Sequence, residues 1–151
     1  MSETASAPSA APAQRPEFRN LSLFSDIRGY RMPLAGLASI MHRVSGVLIF
    51  ILLPFIIWLF DVATSSEISF GQFSSAYTAG VGLIPAWFVK LVTLALIWAY
   101  LHHFCAGLRY LLMDSRHDLV TKSFGKSSAL AVFVVSLALT VILGLKLFGV
   151  Y

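Results

Sequence analysis

The sequence predicts an all-α membrane protein: three transmembrane helices that form part of a larger helical bundle with a partner subunit. Two observations carry this. Hydrophobic residues make up 58% of the 151 residues and charged residues only 12%, against about 25% charged in ordinary globular domains. One small domain cannot hide that much apolar surface, so lipid has to cover part of it. The surface also falls into three charge-free runs, Val44–Phe60, Leu91–Leu108 and Ser127–Leu145. They are continuous rather than alternating, which selects helices, since every backbone polar group in lipid needs an internal partner.

Each element can be placed in order. Residues 1–17 are rich in Ala, Ser and Pro and are expected to be a disordered tail. They lack the cationic start and apolar run of a secretory signal. Residues 18–33 form an N-terminal segment on the cytoplasmic side. Residues 34–151 form the transmembrane domain, with helices at about 34–61, 86–113 and 127–149. The first two begin after Pro33 and Pro85, because proline is tolerated where a helix starts. With its flanks, each run reaches the roughly 20 residues needed to cross the hydrocarbon layer.

Orientation follows from Lys and Arg. Arg15, Arg19, Arg28, Arg31 and Arg43 precede the first span, none lies in residues 44–89, and Arg109, Arg116, Lys122 and Lys126 follow the second span. The positive-inside rule then places the N-terminus in the cytoplasm and the C-terminus on the outer side. Lys90 and Lys146 snorkel near the outer ends, and Trp87, Trp98 and Tyr151 are candidate interfacial aromatics, although Trp98 sits deep for that role. The net charge of +4 lacks the aromatic–basic interleaving of single-strand binders, so nucleic acid is not expected as a partner. A lone cysteine, Cys105, excludes an internal disulfide or thiolate cluster and reads as a buried inert thiol. Ser136, Thr140 and Gly144 recur every four residues, a spacing that lets helices approach closely, and they support a larger assembly.

Two histidines lie within the second apolar run. A ring nitrogen in hydrocarbon is costly unless bonded, so an intramembrane histidine points to function. His103 shares a stripe with Ala95, Ala99 and Gly107 at four-residue spacing; small side chains leave clearance for a flat macrocycle whose iron takes a neutral imidazole. Alternatively, the ring hydrogen-bonds across a helix contact. His102 points about 100° away, toward Trp98 and Ala106. The chain offers no convincing second axial ligand, because His42 lies near the surface and His117 past the helix end.

At the mouth of the first span, Ser39 and Arg43 are four residues apart and face the same way, with His42 beside Arg43. A hydroxyl, a cation and an imidazole around an apolar entrance suit a quinone, whose oxygens accept hydrogen bonds while its tail lies in lipid. The plainer alternative is a positive anchor at Arg43 and a serine bonded to its own helix. Arg109 and Asp114 end the second helix at the same level; Arg109 could pair with Asp114, a haem propionate or lipid phosphate, and both residues read first as surface anchors.

Together, Ser39-Ile40-Met41-His42-Arg43-Val44-Ser45-Gly46 and His103, Gly107, Leu108, Arg109 and Asp114 resemble two signatures of the cytochrome b subunit of bacterial succinate dehydrogenase. The resemblance covers about residues 15 to 151. One departure is Tyr110, where several relatives carry histidine. The resemblance implies that His103 is an axial ligand of haem b, that Ser39 and Arg43 bind ubiquinone, and that His42 and Arg43 approach the haem propionates. It implies a second membrane anchor subunit that shares the haem, an iron–sulfur subunit and a flavoprotein subunit, in the bacterial inner membrane. Phe18, Phe24 and Tyr30 would lie beneath the soluble subunits. The alternatives are a fumarate reductase anchor, a small transporter with His102 and His103 as a relay, or a structural subunit without haem.

Overall fold

The computed structural model describes Gly29 and residues 31–150. The chain divides into two units, residues 1–31 and 32–151, and the description below concerns the second. The expectations for residues 1–17, for residues 18–28, for Tyr30 and for Tyr151 fall outside the described residues.

Helix α1 spans Leu34–Thr64, α2 Glu67–Ala76, α3 Ala86–Ser115 and α4 Lys122–Leu147. Three of them, α1, α3 and α4, are long and apolar enough to cross a membrane; the 31 residues of α1 extend ~46 Å at 1.5 Å per residue. Pro33 and Pro85 sit at the N-caps of α1 and α3 in extended backbone. Pro54 lies inside α1 on its exposed side; it removes one helical donor, a loss that membrane helices tolerate.

Two elements depart from the sequence expectation. The loop after α1 contains a helix, α2, started by Ser66, whose hydroxyl accepts from the Ser69 N–H while Ser69 returns a bond to the Ser66 N–H. Such a reciprocal cap satisfies two orphan donors. Tyr77, at the end of α2, is tied to α3 by a 3.1 Å contact between its hydroxyl and that of Thr93. Helix α4 begins at Lys122 rather than near 127, because Thr121 caps it by accepting from the Phe124 N–H at 3.2 Å. Between α3 and α4 a short 3-10 turn, His117–Leu119, is braced by the Arg116–Asp118 ion pair at 3.1 Å. The Arg116 guanidinium holds the Asp118 carboxyl below the usual carboxylate range.

The bundle inverts the arrangement of a water-soluble core. Large side chains face outward, with Phe50 77% and Leu111 67% exposed, while the interior is Ala38, Ala99, Ala106, Ala129 and Val132 with Ser45, His102, Arg109, Ser136 and Thr140. Lipid is as apolar as leucine, so helices gain by close approach through small residues. On α3 the buried positions are 99, 102, 106 and 109, one face at alternating spacings of three and four. On α4 they are 129, 132, 136, 140 and 144. Ser136, Thr140 and Gly144 therefore face α3 of the same chain, and their spacing is used up inside this bundle rather than being left for a partner. Lys90 of α3 lies over the Phe148 ring at 5.6 Å, joining the opposite ends of α3 and α4.

Gly144 marks the tightest approach of this pair: a Cβ there would lie 2.9 Å from Leu94 Cδ1. Replacing Gly144 by Leu should therefore lower stability by about 1–3 kcal/mol, read as an earlier thermal transition in detergent. Gly125→Ala, with nothing within 4 Å, should leave the transition unchanged or raise it.

Candidate functional site

Helix α3 carries its two histidines to different neighbours. His103 is half-buried and turns to α1. Its Nδ1 donates to the His42 carbonyl at 3.0 Å, and its ring stacks on the His42 imidazole, with centroids 4.1 Å apart and planes at 14°. A carbonyl oxygen can only accept, so Nδ1 carries the proton and Nε2 keeps a free lone pair. A hydrogen bond at one ring nitrogen commonly sets which nitrogen binds a metal.

The stripe read from the sequence does not remain open on both sides of His103. Ala99 is fully buried and Ala95 is exposed. A Cβ at Gly107 would meet His42 Nε2 at 3.8 Å, so the clearance on that side already holds an imidazole. The open space lies nearer the mouth of α1, as a groove of about 600 Å³ lined by His42, Gly107, Tyr110, Asp114 and His117 among others. Tyr110 tilts against His42 at 5.3 Å, so the phenol occupies part of this groove. His42 and His117 both reach this groove, although neither was expected to act as a second ligand; no cluster of three or more metal-ligating side chains occurs among the described residues.

His102 is fully buried. Its Nδ1 lies 3.3 Å from Ser136 Oγ of α4, and its ring packs between Trp98 at 5.5 Å and Phe133 at 5.2 Å. The Ala38 backbone of α1 lies near the imidazole, and Nε2 makes no hydrogen bond. His102 thus stands where all three spans meet, and Trp98 packs on it rather than marking an interface. Cys105, expected to be buried, is half-buried.

Arg109 also departs from expectation. It is buried, 7% exposed, rather than anchored at the surface. Its Nε donates to Ser128 Oγ at 2.9 Å and one Nη to the Gly125 carbonyl at 3.3 Å, and its guanidinium lies 5.2 Å from the Tyr110 centroid. The other Nη is buried without a hydrogen bond, and no carboxylate among the described residues pairs with it. Asp114 is exposed. The signal for Arg109 was present in the sequence, since it shares the 99–102–106 face; its charge outweighed its register in the reading.

Ser39 and Arg43 lie one position round α1 from the inward line of Ala38, His42 and Ser45. Ser39 is half-buried and Arg43 exposed, and neither side chain has a hydrogen-bond partner among the described residues. Both remain available to a molecule at the mouth of the span.

The family described as succinate dehydrogenase/fumarate reductase transmembrane subunit matches residues 13–143. The chain is 33% identical over 120 residues to the succinate dehydrogenase cytochrome b556 subunit of Coxiella burnetii (strain RSA 493 / Nine Mile phase I), covering 79% of this chain and 90% of that protein. It is 29% identical over 109 residues to the succinate dehydrogenase cytochrome b556 subunit of Paracoccus denitrificans, covering 72% of this chain and 78% of that one.

His102→Ala should open a cavity at the junction of three spans and cost about 2–4 kcal/mol, the range for emptying a large buried side chain. Thermal unfolding of the detergent-solubilised protein checks this, and an unchanged transition would remove the junction role.

Proposed function

The chain belongs to the succinate dehydrogenase/fumarate reductase transmembrane subunit family, and from that membership we propose that it is the haem b-binding anchor subunit of a succinate:ubiquinone oxidoreductase in the bacterial inner membrane. One observation carries the haem assignment to a residue: the 3.0 Å bond from His103 Nδ1 to the His42 carbonyl leaves Nε2 as the metal-binding nitrogen. His102 is enclosed on every side and has no route to a group outside the chain. The residues present fit the cofactor, because a neutral imidazole with its other nitrogen hydrogen-bonded is the usual form of a metal-bound histidine. A partner anchor subunit would supply the remaining protein ligand. When bound, haem b supplies a one-electron carrier.

The roles of the other residues follow from their placement. His42 stacks on His103 and lines the groove at the mouth of α1, where it and the neighbouring Arg43 cation would hold the acidic groups of a bound haem. Ser39 and Arg43 donate hydrogen bonds to the oxygens of ubiquinone while its tail lies along the apolar flank of α1. The guanidinium stabilises the negative charge that develops as the quinone is reduced, a preorganised electrostatic effect. Electrons reach this mouth from the iron–sulfur subunit after a flavoprotein subunit oxidises succinate. Both relatives are named for succinate dehydrogenase, which favours succinate oxidation over fumarate reduction.

In the purified complex, His103→Ala should abolish the b-type band of the reduced-minus-oxidised spectrum, and His102→Ala should keep it in whatever fraction stays folded. Full absorbance after loss of the His103 imidazole would sink the ligand assignment.

Separately, Arg43→Leu should lower kcat/KM for quinone reduction about tenfold, equivalent to losing one hydrogen bond to a charged group, and Ser39→Ala should lower it less. Succinate oxidation with an artificial electron acceptor should be unaffected. Normal quinone kinetics in both variants would remove the pocket.

A further inference from the structure

We infer that Ser45 and Gly46 are positioning residues for His103, which set its proton on Nδ1 and hold its ring so that Nε2 alone is presented to the haem iron; this rests on the reading of His103 as the ligand. Neither residue was given a role by the sequence, although both stand in the first-span signature. The argument comes from counting protons and from space.

Ser45 is fully buried. Its hydroxyl has one proton, and the Oγ donates to the His42 carbonyl at 2.8 Å. Oγ also lies 3.3 Å from His103 Nδ1. With its proton committed to the carbonyl, the hydroxyl can offer Nδ1 only a lone pair. The Nδ1–H is therefore shared between two acceptors, the carbonyl at 3.0 Å and the hydroxyl. The alternative tautomer would set the Nδ1 lone pair against the His42 carbonyl oxygen at 3.0 Å, and an opposed pair of acceptors is costly in a buried site. Hydrogen bonding at the outer nitrogen of a ligating histidine fixes the ring and raises its basicity toward the metal.

Gly46 controls space. A Cβ there would stand 2.8 Å from His103 Cε1 and 3.2 Å from Nδ1. The ring cannot yield as a flexible chain end would, because its face is stacked on His42 and its Nδ1 is tethered to the same α1 turn. Only glycine lets the ring edge rest against the helix backbone while the hydrogen bond stays short. Ser45 supplies the second acceptor and Gly46 the room, from successive positions of one turn.

The test uses the whole complex in detergent, with Ser45→Ala, Ser45→Thr and Gly46→Ala beside His103→Ala. The readouts are haem content, the haem midpoint potential, and the g-values of the oxidised low-spin haem, which report the orientation of the axial imidazole. Ser45→Ala should keep its haem but show an upward-shifted potential and altered g-values, since the imidazole loses an acceptor and donates less to the iron. Ser45→Thr, which retains a hydroxyl able to bond the preceding turn of its own helix, should return both toward the parental values. Gly46→Ala should lose haem or its low-spin signal; if it fails to assemble, the Ser45 pair decides alone. Parental potential and g-values in Ser45→Ala overturn the inference while leaving the ligand assignment standing. Haem retained in His103→Ala overturns the assignment itself and the inference with it.

Discussion

Helix α3 meets both other spans through residues with little or no side chain, and that closeness decides where the polar groups of the bundle can go. Toward α4, α3 buries Ala99 and Ala106 while α4 buries Ala129, Ser136 and Gly144, the last against Leu94; against α1 the backbone at Gly46 lets an imidazole edge approach. In a lipid solvent a polar side chain between helices is costly unless a neighbouring group bonds at least part of it. Close packing brings such partners within reach: Ser136 for His102, Ser128 and the Gly125 carbonyl for Arg109, and the His42 carbonyl for His103.

The consequence is clearest for the adjacent histidines. Successive residues of a helix differ by about 100° in direction, and here that rotation separates two jobs. His102 enters the junction of the spans and is fully enclosed. His103 lies in the α1–α3 groove, tethered at one nitrogen and free at the other. A buried histidine that only holds helices together and a half-exposed one that can serve a cofactor are thus made from one dipeptide. Which does which depends on the neighbours that α3 meets, not on the two residues themselves.

Much of the architecture was legible beforehand because it depends on one-dimensional quantities. Apolar run length and the absence of charge identify membrane-spanning helices whatever their packing. Helix α2 was missed because it spans only Glu67–Ala76, and the Ser66–Ser69 cap that starts it carries no hydrophobic period. The early start of α4 was missed for a related reason: the charge-free run begins at Ser127, whereas the cap at Thr121 is a local hydrogen bond that admits Lys122 and Lys126 into the first turns. Arg109 was misplaced because a charge near a helix end usually lies at the surface, whereas the hydroxyl and the carbonyl that take it in belong to a different helix.

By itself the sequence determined the membrane class, the number of spans and the two signature stretches. These depend on composition and spacing along one chain. Only the tertiary structure decided that the imidazole proton sits on Nδ1, that the small residues of α4 serve this chain's own α3, and that Arg109 is an interior tie rather than an anchor. Each of these depends on which atom of a distant segment comes within about 3 Å, the range of a hydrogen bond. Spacing along one helix cannot specify that distance, because it is set by how near two helices can come once their side chains have met.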